Sequence, residues 1–475
     1  MKIYNTMSRS KEEFAPLTPG EARIYVCGVT PYDYSHIGHA RSAVVFDVIR
    51  RWLEYRGLRV TTVRNYTDID DKIIQRANKE GVTTTEVARR YIEAEASDMG
   101  ALGVLPPSAA PKATDHVAGM IALIERLMAK SVAYVVDGDV YFEIRRFPGY
   151  GKLSGKNLDE LLAGARVEVD ERKRDARDFA LWKAVKPGEP SWPSPWGAGR
   201  PGWHIECSVM SMHYLGETFD IHGGGTDLIF PHHECEIAQS EADTGKTFAR
   251  YWLHNGMVNL GAEKMSKSLG NTLTIRELVK RHDPDALRLW MLGTHYRNQL
   301  EWSEERVGES AKALGRLRAL VEEAERIASK GTPKPGPDGG LFDEVAGHRA
   351  RFEAAMDDDF NTPQALGVLF DLARLLQGAR AQVEEGRLAA GGFLLGVGEL
   401  VTLARSLGLL EPGGPTERPV DPQLKAKVES LLYLREQARK QRDFAEADRL
   451  RHELTALGVT LKDSRGGGTT WTLSS

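Results

Sequence analysis

The chain has 475 residues, 41% of them hydrophobic and 27% charged, with a formal net charge of −4. That length exceeds one ordinary domain and suggests roughly three or four units, while the charge excludes a globally basic nucleic-acid coat but not one basic face. Three scattered cysteines, Cys27, Cys207 and Cys235, do not make a disulfide framework and fit a reducing compartment; without a signal-like start or a run of about 18 apolar residues, the expectation is a cytoplasmic protein with no membrane association.

Residues 23–29 read as a short buried strand ending at Cys27-Gly28, followed by a helix from about Gly38 to Arg56. Val44, Val45, Val48, Ile49, Trp52 and Leu53 keep helical spacing, and Gly57 is a natural stop. Val60–Val63 reads as the next strand, so the segment forms a βαβ unit and implies a parallel sheet. Ligands bind beyond the carboxyl ends of such strands, which places residues 27–39 at the expected site.

Residues 147–200, with a charged run at 168–178 and a Pro/Trp-rich stretch at 187–203, read as an insertion. Thr218–His222 reads as a strand that ends in Gly223-Gly224-Gly225, then Asp227, with a helix opening near Pro231. After about residue 300 the pattern is helical, over 310–329, 341–356, 363–385 and 392–410, interrupted by breakers at 332–340 and 412–422. Residues 423–457 read as a helical hairpin followed by a tail with Gly466-Gly467-Gly468 and Trp471.

Two segments suit phosphate. His36-Ile37-Gly38-His39 lies between a strand and a helix, where free N–H groups and the helix dipole favour anions, and Gly38 permits close approach. Lys264-Met265-Ser266-Lys267-Ser268 offers point charges and hydroxyls for a triphosphate. Either alone is weak, but the pair in this order resembles the HIGH and KMSKS signatures of class I aminoacyl-tRNA synthetases. The resemblance implies ATP bound on a Rossmann-type domain, with His36 and His39 near the phosphates and Lys264 and Lys267 on the pyrophosphate side.

Cys27, Cys207, His232 and Glu236 form a chemically sensible zinc set, and His232 and Glu236 are four apart, on one face of a helix. Spacing alone does not assemble them, and cysteines are commonly buried as small hydrophobes. Cys27-Gly28-Val29-Thr30, Thr67-Asp68-Ile69-Asp70-Asp71-Lys72, residues 202–208, Phe230-Pro231-His232-His233-Glu234 and residues 357–363 together resemble the cysteinyl-tRNA synthetase family over nearly the whole chain.

That resemblance implies one Zn²⁺ per chain on those four residues, binding the thiolate of free cysteine, and Mg²⁺ accompanying ATP. A required soft ligand would reject serine without an editing domain. Four protein ligands ordinarily make a closed structural site, so either the zinc adds a fifth ligand, Glu236 loosens, or the zinc is structural. Gly224, Gly225 and Asp227 are expected on the adenosine side. Thr67, Trp203 and His222 are expected to line the substrate pocket, with ordinary packing the competing reading for Trp203. Asp68, Asp70 and Asp71 are read as capping and pairing groups, and Cys235 as a free thiol.

The expected architecture is α/β: a Rossmann-type parallel-sheet catalytic domain (1–112 and 201–255) split by a connective insertion (113–200). A KMSKS-bearing stem-contact region (256–306), an α-helical bundle (307–411) and a small C-terminal domain (421–475) follow. The expected partners are tRNA(Cys), ATP and L-cysteine, with basic residues between 425 and 442 and Trp471 facing RNA, a solvated helix face and closure of a small core being the competing readings, and the chain is expected to act as a monomer. Two rivals are a cysteine ligase with a small amine acceptor and a non-enzymatic zinc-containing RNA-binding protein. The extra helices argue against the first, both phosphate motifs against the second.

Overall fold

The computed structural model describes residues 1–155, 171–260, 263–264, 273–330, 339–412, 428, 431–432, 434–435, 438–439, 443–457, 459–463 and 469–473. They fall into two compact units, residues 1–279 with 284–411, and residues 280–283 with 412–475.

In the first unit, a hairpin of β1 (Lys2–Asn5) and β2 (Ser10–Glu13) precedes β3 (Glu21–Val29), α1 (Ile37–Tyr55) and β4 (Arg59–Tyr66), the expected βαβ unit. α2 (Asp71–Glu80), α3 (Thr84–Ala101) and α4 (Val117–Ala129) follow. The insertion holds β5 (Ala133–Val136), β6 (Asp139–Phe142), β7 (Phe179–Ala184) and β8 (Gly199–Pro201), joined as an antiparallel sheet. The chain returns through α5 (Trp203–Leu215), β9 (Phe219–Gly225), α6 (Glu234–Thr244) and β10 (Ala249–Asn255). The catalytic sheet is all parallel in the order β10-β9-β3-β4. β11 (Val258–Leu260), β12 (Glu263–Lys264), α7 (Ile275–Arg281), α8 (Pro284–Leu292) and β13 (Leu300–Glu301) lead to the bundle of α9 (Glu304–Ala328), α10 (Leu341–Asp357), α11 (Thr362–Glu384) and α12 (Ala390–Ser406).

Side-chain alternation along β3 builds two cores. Ile24 and Val26 face α1, in a core that runs on into the bundle. Tyr25 points the other way, toward α4, α5, α6 and the insertion sheet, and Cys27 packs against that second core with Ile205, Cys207, Ile237 and Trp252. The insertion's Phe142, Leu181 and Trp182 belong to the same core, so the segment read as an add-on shares its apolar interior with the catalytic sheet.

β9 ends in Gly223-Gly224-Gly225, as expected. His232 lies on the short helical turn Ile229–His233 that runs directly into α6, with Phe230 non-helical and the Phe230–Pro231 bond cis, so His232 and Glu236 keep their four-residue spacing. The expected tail is corrected. In the second unit, α13 (Phe444–Ala456) is followed by an antiparallel hairpin of β14 (Val459–Asp463) and β15 (Thr469–Leu473), so Trp471 lies in a strand opposite Leu461 rather than in a tail. Val428, Leu431, Leu450 and Leu454 form its core. Most of the basic 425–442 interval lies outside the described residues.

Candidate metal and nucleotide site

The pairing of β3 with β4 is regular to Val26↔Arg64, slips, and resumes at Val29↔Tyr66. Cys27 and Gly28 bulge out opposite Asn65, whose side chain accepts from the Gly28 N–H at 2.8 Å. A Cβ on Gly28 would overlap the Asn65 carbonyl, so only glycine lets the strands close here. The bulge aims Cys27 at the start of α5 and α6. There Cys27 Sγ lies 3.8 Å from Cys207 Sγ and 3.4 Å from Glu236 Oε1, and His232 Nε2 lies 3.1 Å from that same Oε1. The donor atoms of Cys27, Cys207, His232 and Glu236 all lie within 4.8 Å of one another. Two sulfurs, one imidazole nitrogen and one carboxylate oxygen, with Cys207, His232 and Glu236 buried and Cys27 partly exposed, fit zinc in type and number.

The electrostatics follow from that crowding. Burial opposes ionisation of Cys207, but the hydrogen bond from Cys27 and the nearby His232 imidazole lower it to about 6. Burial pushes Cys27 up, and the Cys207 and Glu236 charges push it further. Burial would lower His232, yet Glu236 and Cys207 raise it to about 10. Burial would raise Glu236, yet His222 and His232 hold it at about 2.

Around the four donors lies a set of imidazoles whose extent the sequence did not disclose. His204 Nδ1 is 2.9 Å from His232 Nδ1, leaving His232 Nε2 for the cluster. His233 Nδ1 meets His254 Nε2 at 2.8 Å, and His254 Nδ1 meets the Thr6 hydroxyl at 2.8 Å. His222, expected to line the substrate pocket, is fully buried, stacks on Trp252 and contacts Glu236 Oε2 at 2.8 Å. Cys27, His222, His233 and Glu236 satisfy the same proximity as the four expected ligands. His254 carried no local signal, because only the pairing of β9 with β10 brings it here.

Trp203 is 41% exposed and stacks on the His232 ring at 4.3 Å, so it packs and faces outward at once. Thr67 is buried, with its hydroxyl between Asn65 and Glu206. Glu206 was missed: it is buried beside Cys207, its carboxyl is raised by burial and by the Cys207 charge, and its Oε2 lacks a partner among the described residues. Asp70 caps α2, and Asp71 pairs with Lys183 and Arg200. Cys235 points away from the cluster and contacts the Tyr150 hydroxyl. A Cβ on Gly223 would overlap the Phe46 ring and one on Gly224 would crowd His233, so neither position has room for a side chain. Asp227 is exposed just beyond Gly225.

At the start of α1, His36 Nδ1 accepts from Gly38 N–H and His39 Nδ1 accepts from His36 N–H, both at 3.2 Å, and the two rings stack at 3.8 Å. In this reciprocal cap Nδ1 of each ring is the acceptor, which leaves Nε2 as the donor nitrogen. It also changes the expectation of open backbone donors, since Ile37 N–H is bound to Leu273 O. Ile275 N–H in turn bonds Ser35 O. Residues 273–275 therefore pair with the His36 segment. Lys264 lies in β12, and Lys267 lies outside the described residues.

A parallel sheet in the order β10-β9-β3-β4, with His36 to His39 between β3 and α1, has the fold of a class I aminoacyl-tRNA synthetase catalytic domain. The family model "tRNA synthetases class I (C) catalytic domain" matches residues 13–312, "DALR domain" residues 351–411 and "Cysteinyl-tRNA ligase anticodon binding domain" residues 421–471. Solved structures agree in fold: a Mycobacterium tuberculosis methionyl-tRNA synthetase in complex with methionyl-adenylate has a TM-score of 0.62 at 18% identity, over 90% of this chain and 96% of that one. The chain is 53% identical to a cysteine–tRNA ligase of Geobacter sulfurreducens over 99% of both chains, and 52% identical to one of Syntrophobacter fumaroxidans over the same shares. It belongs to the cysteine–tRNA ligase family, ATP-dependent enzymes of class I. No helix among the described residues is long and apolar enough to cross a membrane.

Proposed function

We propose that this chain activates L-cysteine with ATP and transfers it to the 3′-terminal ribose of tRNA(Cys), acting in the cytoplasm as a monomer. The observation that carries the reading is the convergence of Cys27, Cys207, His232 and Glu236 behind the bulge of β3, on a sheet whose carboxyl end also bears His36 and His39. The four residues would hold zinc, which when bound supplies a soft acid for the substrate sulfur that a serine hydroxyl cannot match.

The chain's own groups do the rest. Trp203 walls the pocket beside His232, while Thr67 orients the substrate next to Glu206. Asp227, with Gly224 and Gly225, serves the adenosine side, and His222 holds Glu236. His36 and His39 donate from Nε2 to the phosphates, with Gly38 allowing close approach, and Lys264 and Lys267 neutralise the departing pyrophosphate, whose Mg²⁺ comes with ATP. The substrate carboxylate attacks the α-phosphorus, the bond to the β-phosphate oxygen breaks, and a ribose hydroxyl then takes the cysteinyl group from the adenylate. The working division is a catalytic domain of 1–112 and 201–255 split by a connective insertion (113–200), a KMSKS-bearing stem-contact region (256–306), an anticodon-binding-type helical bundle (307–411) and a small tRNA-contacting C-terminal domain (421–475).

Cysteine-dependent ATP–pyrophosphate exchange followed by charging of tRNA(Cys) tests this. Exchange without charging of any tRNA would shift the acceptor to a small amine; absence of exchange would remove the enzyme reading.

A further inference from the structure

The bundle contributes a fully buried carboxylate, Asp359, that no part of the activation chemistry uses. Its Oδ1 accepts from the Tyr4 N–H and the Tyr296 hydroxyl, each at 2.8 Å, and its Oδ2 accepts from Arg297 Nε at 2.8 Å. Its own N–H bonds Lys2 O. Asp359 and Phe360 both have positive φ, +64° and +51°, a left-handed pair that ordinary residues avoid. The fold tolerates this backbone at the point that directs the carboxylate inward.

Besides Lys2 and Tyr4 on β1, the groups it grips, Tyr296 and Arg297, lie on one loop, residues 293–299, between α8 and β13. From the opposite side the same loop is held by Arg41, two residues beyond His39 on α1. This side chain is buried and, among the described residues, has no carboxylate partner; it donates to Thr294 O at 2.9 Å, to His295 O at 3.1 Å and to Met291 O. The loop thus spans from the helix that presents His36 and His39 to the bundle.

The loop also reaches the nucleotide end of the sheet. Gly256 N–H, just past β10, bonds Tyr296 O at 2.8 Å, and a Cβ on Gly256 would overlap the Asn298 carbonyl. Leu300 N–H bonds Met257 O at 2.9 Å and Trp302 N–H bonds Asn259 O at 2.9 Å. β13 pairs with β11, and β11 pairs with β12 through Asn259↔Lys264. Lys264 is therefore two strands away from the loop that Asp359 and Arg41 hold.

We propose that Asp359 is a positioning residue for adenylate formation: through Tyr296 and Arg297 it sets the 293–299 loop, and through β13 and β11 it sets the backbone of Lys264 relative to α1. This rests on the phosphate role proposed for the Lys264 segment.

The test is Asp359→Asn in the full chain, read by cysteine-dependent ATP–pyrophosphate exchange, metal content and thermal midpoint. An amide keeps an acceptor for Tyr4 and Tyr296 but turns a donor toward Arg297. The expected result is an exchange kcat lower by about 10- to 100-fold, with KM for cysteine and metal content unchanged, as misplacement of a reacting group predicts. A lowered thermal midpoint with kcat and KM for ATP unchanged well below that midpoint would overturn the proposal, leaving Asp359 a structural group. If the variant does not fold, Arg297→Met decides by the same criterion, since Arg297 is 34% exposed and its loss removes one bond of the set. Wild-type enzyme without exchange would instead count against the phosphate reading itself.

Discussion

His222 Nε2 lies 2.8 Å from Glu236 Oε2 with neither side chain exposed, while Glu236 Oε1 faces Cys27 and His232. The carboxylate is thus divided, one oxygen for the cluster and one for an imidazole behind it. This arrangement lets Glu236 stay oriented whether or not Oε1 is engaged, the point that a four-residue ligand set leaves open. His222→Ala strips Oε2 of its donor in a dry site, and metal affinity is expected to fall by about 10- to 100-fold, as for other groups that orient a ligand. His222→Gln, which can still donate, should recover part of the loss. Chelator competition measures both; unchanged affinity in the alanine variant would show that this contact orients nothing.

The donor chemistry makes a second prediction. Cys207→Ser replaces the thiol held at about 6 with a hydroxyl that stays protonated. Bound zinc should fall below one per chain, and exchange should fall with it. In cobalt-substituted wild-type protein, cysteine should alter the visible absorption and serine should not, with discrimination in exchange of about 10⁴ or more. A cobalt spectrum indifferent to cysteine would leave the metal structural.

How much of this the sequence disclosed depends on the range of each interaction. The β3–α1–β4 unit was legible because Val44, Val48 and Leu53 keep a local period and Gly57 stops the helix. The insertion sheet was not, because Pro187–Trp203 reads as breakers and its strands are three to six residues long. The four donors were chemically recognisable, yet what assembles them is alternation along β3 and the packing of α5 and α6 on one face. His254 joins the site only through tertiary packing, opposite Gly224 in the β9–β10 register, and Glu206, though next to Cys207 in the chain, meets Thr67 only in the fold. Asp359 stood in a recognised segment, but its partners Tyr4 and Arg297 are 355 and 62 residues away in the chain.

Gly28 tests the bulge that aims Cys27. Alanine would place a methyl onto the Asn65 carbonyl, which is strand backbone and cannot rotate aside. The strands must separate, at a cost of about 1–3 kcal/mol or more for an overpacked site, and Cys27 must move with them. Gly28→Ala is expected to lower both the thermal midpoint and the bound metal. A variant with the wild-type midpoint and a full metal complement would mean that the bulge does not position Cys27.

Asp47 on α1 gives a prediction in pH. It is buried against Arg288 of α8, which is fully buried, and it also pairs with Arg51 and accepts from the Leu105 N–H. Burial alone would raise its carboxyl, but the Arg288 and Arg51 charges and the Leu105 N–H outweigh this and lower it. A carboxyl depressed in the folded state contributes stability that is fully present above its unfolded value of about 3.9 and disappears as pH falls through the folded value. Asp47→Asn leaves Arg288 without its carboxylate and is expected to cost about 3–5 kcal/mol at neutral pH. The gap between wild type and variant in denaturant unfolding should be constant from pH 6 to 8 and narrow once the pH drops below about 4. A gap that stays unchanged down to acid unfolding would mean that the Asp47 charge is not what holds α1 to α8.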